Sequence, residues 1–405
     1  MITDEEYAAA LDVRHPLGAA RARLARPDPR LVYLDGNSLG PLPIATGDRL
    51  ARFVEEEWGR DLVRGWQRWV DLPTQVGDRL GAALLGAAPG QVAVTDSVTV
   101  NLYKLAWAAL DASPPGRRVI VTTDHEFPTD AYVLSAVAAQ HGGSVRVYDG
   151  LIGDDVALLA TSHVDYRSAE IADVEALTVQ AHRAGARVLW DLSHSAGSVP
   201  VHLDAAGVDL AVGCTYKYLN AGPGAPGYLY VRRGLAEQLR TPIPGWFGHH
   251  DQFAMASEYV PARGVARFLA GSPPVAGLLA VDSGVALLAE VGIDVLRATS
   301  MALTTYLVEL AEEWLLPLGF RLASPRDATT RGGHVALAHP DAYAISAALI
   351  RDADVVADVR PPDILRLAPV PLVTSFADVR EGLRRIRDLV ASGGYAGAEH
   401  VGRVT

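Results

Sequence analysis

One cysteine in 405 residues, Cys214, excludes an internal disulfide and a thiolate zinc cluster, and the chain fits a reducing compartment. Lysine is almost as scarce. Lys104 and Lys217 stand against 34 arginines, so arginine carries nearly all the positive charge. A guanidinium does not deprotonate and attack a carbonyl, which confines any amine chemistry to two positions. Excess positive charge is also missing. The net charge of −11 excludes the basic surface expected of a nucleic-acid or polybasic membrane partner. No apolar run approaches the ~18 residues of a membrane span. The opening MITDEEYAAA is acidic where a signal peptide is basic, and the expectation is a cytoplasmic protein that acts on a small molecule.

What is present is a globular composition: 49% apolar, 20% charged and 7% aromatic residues, with no repeat and no low-complexity tract. Three regions are expected: an N-terminal segment over 1–45, a large domain over 46–280 and a smaller α+β domain over 281–405. The first contains a helix, the connector RARLARPDPR and a short strand entering the loop of LVYLDGNSLGPLP. Residues 46–86 read as mostly helical. From Pro89 onward, short apolar strands (92–95, 117–123, 144–149, 156–162, 186–191, 208–215 and 227–233) alternate with helices. That pattern predicts an α/β fold with a mainly parallel sheet covered on both faces. Helices at 282–315 and 376–391 and strands at 334–338, 354–359 and 364–368 fill the C-terminal part. Ser375 and Asp378 form a predicted capping box.

In such a sheet, ligands bind beyond the carboxyl ends of the strands. DSVTVN follows the first strand of the large domain and opens a helix whose free N–H groups, with Thr99, suit a phosphate. DHEFPTD follows the second, offering Phe127 to stack on a flat ring and Asp130 a turn later. Ser162 and His163 end another strand, Asp191 and His194 lie in DLSHSAG, and Lys217 lies in TYKYLNAGPGAPG. Any one of these is an ordinary cap or a satisfied polar residue; five strands ending in mutually compatible groups point to one site. GPGAPG (222–227) matches G-x-G-x-x-G, but it precedes a strand, so it reads as a tight loop passing close to the site rather than a dinucleotide motif. The histidines show no ligand spacing, and no metal is expected.

An amine, a carboxylate, a stacking ring and a phosphate cradle together meet the needs of pyridoxal 5′-phosphate. Its aldehyde requires a lysine, and its ring nitrogen requires an acid partner if the ring is to accept electrons. Lys217 is the expected lysine. Lys104, within the helix NLYKLAWAAL, is expected to extend to solvent.

The segments YLDGNSLGPLP (33–43), FPTD (127–130), DLSHSAG (191–197), TYKYLNAGPG (215–224), PGWFGH (244–249) and RLAPVPL (366–372) resemble the kynureninase family. The resemblance spans nearly the whole chain in order. It implies the type I fold of the class V aminotransferase group, and hydrolysis of the Cβ–Cγ bond of L-kynurenine, or its 3-hydroxy derivative, to an anthranilate and L-alanine in tryptophan catabolism. By the same resemblance, Lys217 is the Schiff-base lysine and Asp191 the partner of the ring nitrogen. Phe127 stacks on the ring, Val98 and Thr99 hold the phosphate with the Tyr216 phenol, and Asp130, Ser162 and His194 complete the cofactor site. Trp246 and Ser272 match positions that reach the cofactor from a neighbouring subunit, which implies a homodimer. Arg366 matches the clamp for the substrate α-carboxylate, and Tyr216 is the expected acid/base group.

Two residues depart from the family pattern: Ser272 replaces Asn or Thr, and Asp165 replaces an Asn. Trp66 and Trp69 are open between receiving the substrate's aryl ring and packing in the core. The rival activities are cleavage of a differently substituted kynurenine, or another class V reaction such as cysteine desulfuration. The latter needs a cysteine on a mobile loop, whereas Cys214 ends a predicted buried strand.

Overall fold

The computed structural model describes residues 1–15, 18–25 and 28–398; Arg26 and Pro27 of the expected connector lie outside the described residues. The first strand, β1 (Val32–Tyr33), pairs away from the main sheet. Most of the apolar runs that follow have no polar face and are covered on both sides, the exception being the edge strand SVRV with Ser144 and Arg146. They form β2 (Val92–Val94), β3 (Val119–Thr122), β4 (Ser144–Val147), β5 (Val156–Ser162), β6 (Arg187–Asp191), β7 (Leu210–Gly213) and β8 (Tyr228–Val231). Their order in the sheet is β2-β8-β7-β6-β5-β3-β4. The pairs β7/β6, β6/β5, β5/β3 and β3/β4 are parallel, while β8 is antiparallel to both β7 and β2. β2 therefore runs with the parallel set, and six strands present their carboxyl ends at one edge. Alternation divides the side chains between two cores: Val188 and Trp190 of β6 enter one, and Leu189 the other.

The C-terminal part is a four-stranded antiparallel sheet. It is built from β9 (Arg321–Leu322), β10 (Val335–Ala338), β12 (Asp358–Arg360) and β13 (Ile364–Leu367) in the order β12-β13-β10-β9. Helices Ile293–Trp314, Ala342–Asp352 and Phe376–Ala391 pack on it around a third core that includes Leu307, Leu349 and Leu383. The last helix begins with the expected box, Ser375 Oγ accepting from the Asp378 N–H and Asp378 accepting from the Ser375 N–H. β1 pairs in parallel with β11 (Val355–Val356), and Asp12 caps the Phe376–Ala391 helix by accepting from the Phe376 N–H at 2.8 Å. The N-terminal segment is thereby tied to the C-terminal part. Among the described residues no single helix is long and apolar enough to cross a membrane.

One expectation fails here. Lys104 does not reach solvent but is completely buried, because its ammonium is taken up by Asp96 and by the Phe268 carbonyl of the 264–268 turn.

Candidate active site

The common edge of the six strands opens into a cavity of about 180 Å³. β2 leads through Asp96 to Ser97, which caps the Val98–Asp111 helix by accepting from the Val100 N–H. The first N–H groups of a helix have no acceptor inside it, so those of Val98 and Thr99 remain for a ligand. Gly227, at the start of β8, passes directly against this turn. A Cβ there would lie 3.1 Å from both the Val98 nitrogen and the Gly213 oxygen, which explains why the GPGAPG loop ends in glycine.

β3 leads to Phe127 and to the Pro128–Gln140 helix, whose first turn carries Asp130. Glu126, which carried no signal in the sequence, organises this side. Its carboxylate accepts from Thr123 Oγ1 at 2.7 Å, Thr161 Oγ1 at 2.6 Å and Ser162 Oγ at 2.5 Å, tying the loop after β3 to the end of β5. Phe127 is 45% exposed and meets Tyr166 edge-on, with ring centres 5.5 Å apart.

Asp191 ends β6 and accepts from the Ser193 N–H at 2.6 Å. It faces Asp130 in a buried setting. Burial, followed by the charges of Asp191 and Glu126, pushes the Asp130 carboxyl up to about 9. β7 delivers Cys214, Tyr216 and Lys217. The Lys217 amine lies 2.9 Å from His194 Nε2. Burial first, and Lys217 second, hold His194 well below the usual imidazole range, so the ring is neutral and shares a hydrogen bond with the amine. Burial also raises the Tyr216 phenol, as do the neighbouring Cys214 and Asp191, so it keeps its proton at neutral pH.

The turn holding Lys217 is clasped from the N-terminal segment. The Gly40 N–H donates to the Tyr216 carbonyl at 2.8 Å, and a Cβ on Gly40 would lie 2.2 Å from the Lys217 oxygen. The close approach accounts for a glycine at this end of LDGNSLG.

Of the expected site residues, Val98, Thr99, Phe127, Asp130, Ser162, Asp191, His194, Tyr216 and Lys217 all line the cavity. Three do not. Trp246 is partly exposed and packs edge-on against Phe247 and Phe253, and Ser272 is exposed. Arg366 is completely buried behind the cavity wall. It forms a two-point ion pair with Asp358, Nε donating to Oδ1 at 2.6 Å, and a further bond to the carbonyl of Tyr166, itself a lining residue. Asp358 and Asp35, absent from the expected set, belong to this buried cluster with Arg360. The pair Asp358 and Arg366 is legible as a cross-strand register of the β12–β13 hairpin. Burial opposes ionisation of Asp358, but the two arginines prevail and hold its carboxyl low; Asp35, buried beside that charge, is raised.

Trp66 and Trp69 pack edge-on against each other rather than lining the cavity, and Trp69 Nε1 donates to Glu57. Asp165 accepts from the N–H groups of Arg167 and Ser168, an acceptor role a carboxylate fills in a tight turn.

The residues fit pyridoxal phosphate on the chemistry of the donor set. A helix N-terminus faces one end of the cavity and an amine enters it. The buried Asp130–Asp191 pair carries more acid than Lys217 offsets, a deficit that a protonated ring nitrogen satisfies.

Comparison with known proteins follows the same line. Residues 296–386 match the family model of the kynureninase C-terminal domain. Kynureninase of Pseudomonas fluorescens is 40% identical over 403 residues, covering 96% of each chain. That of Burkholderia pseudomallei is 39% identical over 411 residues, covering 98% of each. Among solved structures, the cysteine desulfurase of Thermococcus onnurineus NA1 superposes with a TM-score of 0.76 at 19% identity, covering 89% of this chain and 95% of that one. A C-DES variant with glycine linked to its PLP cofactor gives 0.79 at 18% identity, covering 90% and 100%. These superpositions share the architecture described above, the type I fold of pyridoxal-phosphate enzymes, and carry no further inference about activity. A relative 40% identical over 96% of both chains decides the matter: the chain belongs to the kynureninase family.

Proposed function

We propose that this protein is a pyridoxal-phosphate-dependent hydrolase that cleaves the Cβ–Cγ bond of L-kynurenine, or of 3-hydroxykynurenine, to the corresponding anthranilate and L-alanine. The observation that carries the reading is the convergence of Lys217, the Asp130–Asp191 pair and a helix N-terminus on one cavity. Bound there, the cofactor supplies an aldehyde for condensation with an amino group and a ring that takes up an electron pair.

Val98 and Thr99 hold its phosphate, and Phe127 lies on the ring face. Asp191, backed by Asp130, keeps the proton on the ring nitrogen, while Ser162 and His194 complete the contacts. Lys217 supplies the amine and moves the proton at the substrate α-carbon; neutral His194, hydrogen-bonded to it, orients it. Tyr216, protonated at neutral pH, donates and recovers the proton as water adds to the γ-carbonyl and the Cβ–Cγ bond breaks. Arg366, buried against Asp358 behind the cavity wall in the free protein, holds the α-carboxylate once substrate has displaced the Asp358 carboxylate. Trp246 and Ser272, outside the cavity of their own chain, serve the neighbouring site of a homodimer, and the enzyme works in the cytoplasm. Cysteine desulfuration is disfavoured because Cys214 is buried and burial raises its thiol, the opposite of what a nucleophilic cysteine needs.

The test is turnover of kynurenine and 3-hydroxykynurenine by the cofactor-loaded protein, followed by anthranilate fluorescence and alanine release. Both products are expected at equal rates, and Lys217→Ala should abolish them. Failure of loaded protein to release either product from both substrates overturns the activity. Borohydride labelling at a residue other than Lys217 overturns its assignment.

A further inference from the structure

Among the buried cations that the mechanism above does not use, Lys104 is the one tied to the cavity's anion cradle. Lys104 lies two turns into the Val98–Asp111 helix, and its side chain runs back toward the helix N-terminus, as helical side chains do. Its ammonium, shielded completely from solvent, sits 2.5 Å from Asp96 Oδ2 and 2.7 Å from the carbonyl oxygen of Phe268. Asp96 is the pivot of the anion cradle. Its backbone is left-handed, with φ of 47°, and its carbonyl accepts from the Gly227 N–H at 2.6 Å. The helix cap Ser97 follows it directly, so both walls of the cradle, the first helical turn and the 225–227 loop, hang from this residue.

The placement creates an electrostatic problem that Lys104 solves. An anion bound at a helix N-terminus is favoured by the free N–H groups and the helix dipole. A carboxylate one residue before the cap draws on the same field and, left uncompensated, repels a phosphate dianion bound at that helix end. We infer that Lys104 is a positioning residue for cofactor binding, cancelling the charge of Asp96 and fixing its left-handed turn so that the helix N-terminus is free to take the phosphate. The compact ammonium suits the task in a chain that otherwise uses arginine, since two acceptors close about one point with no room for a planar fork. Its bond to Phe268 also anchors the segment that leads to Ser272. The inference rests on the proposed reading that Val98 and Thr99 receive the phosphate, and the experiment separates the two.

Cofactor-free protein is titrated with pyridoxal 5′-phosphate and, separately, with pyridoxal, which has no phosphate, and binding is followed by absorbance. Wild-type protein should prefer the phosphorylated form; absence of any preference overturns the phosphate reading and the inference with it. Lys104→Met should weaken pyridoxal 5′-phosphate by about tenfold to a hundredfold, the scale of a charge at a helix terminus in a partly buried site. Its affinity for pyridoxal should stay within about threefold of wild type. The double variant D96N/K104M removes the uncompensated charge, and asparagine tolerates the left-handed backbone. It should recover most of the lost preference. Equal losses for both ligands in Lys104→Met, or no loss, or no recovery in the double variant, overturn the inference while leaving the phosphate reading intact. Should Lys104→Met fail to fold, the double variant decides alone: a wild-type preference for the phosphorylated ligand supports the role, and a collapsed preference refutes it.

Discussion

Replacing Asp130 with asparagine should make the cofactor-free protein more stable above neutral pH while weakening its hold on the cofactor. The carboxyl is 5% exposed and faces Asp191 and Glu126, with Lys217 as the nearby cation. Burial, reinforced by the two acids, raises it to about 9, against about 3.9 in an unfolded chain. Between these values the folded protein binds one proton more than the unfolded one, so stability falls as pH rises. The slope is at most about 1.4 kcal/mol per pH unit, and from pH 5 to 8 the ceiling is about 4 kcal/mol. Asparagine removes the obligation to bind that proton. Urea unfolding of both cofactor-free proteins at pH 5, 6.5 and 8 should therefore show a stability difference that grows with pH in favour of the variant. His163, His194 and His334, all depressed chiefly by burial, lose stability on the acid side in both proteins and cancel in the difference, as does the raised Asp35. With pyridoxal phosphate added the advantage should shrink or reverse, since the ring nitrogen supplies the missing positive charge. A difference that stays constant with pH would refute the argument.

Two further variants examine other parts of the site. Tyr216→Phe should keep the visible absorbance of bound cofactor yet lower kcat by about a hundredfold or more, the usual scale of a lost acid/base group; an unchanged kcat removes its role. Asp358→Ala strips the buried Arg366 and Arg360 of their shared partner and should cost about 3–5 kcal/mol in urea unfolding, with less than 1 kcal/mol arguing that Asp35 takes over the pairing.

The elements that the chain announces locally are those that the sheet displays. Strand-then-turn segments such as VALLATS, ARVLWD and VDLAVGC need only short apolar runs and a polar exit, and their exits Ser162, Asp191 and Lys217 meet at one edge. The last helix and its capping box were equally legible, being defined within four residues. The reversal of β8 inside the parallel set was not, because a buried strand reads the same in either direction. Glu126 is silent for a different reason: the hydroxyls that define it, on Thr161 and Ser162, come 35 and 36 residues later. Trp66 and Trp69 were open because an aromatic cluster has one composition whether it packs in a core or lines a pocket.

Lys104 shows where local reasoning breaks physically. A cation in an apolar helix ordinarily marks the solvent side, and the rule fails when both acceptors lie outside the helix, one before its cap and one 164 residues away. Composition held the better clue. A chain that uses arginine almost everywhere retains lysine at two positions: Lys217 lines the cavity, and Lys104 holds Asp96, the residue before the cap of the helix whose first turn lines it. On the proposed function each stands where a compact nitrogen is needed and a guanidinium does not serve: Lys217 because an amine condenses with an aldehyde, Lys104 because its acceptors converge on a point. A residue type that survives a strong bias is therefore informative about packing as well as chemistry, and the second kind of information becomes visible only once the acceptors have been brought together by the fold.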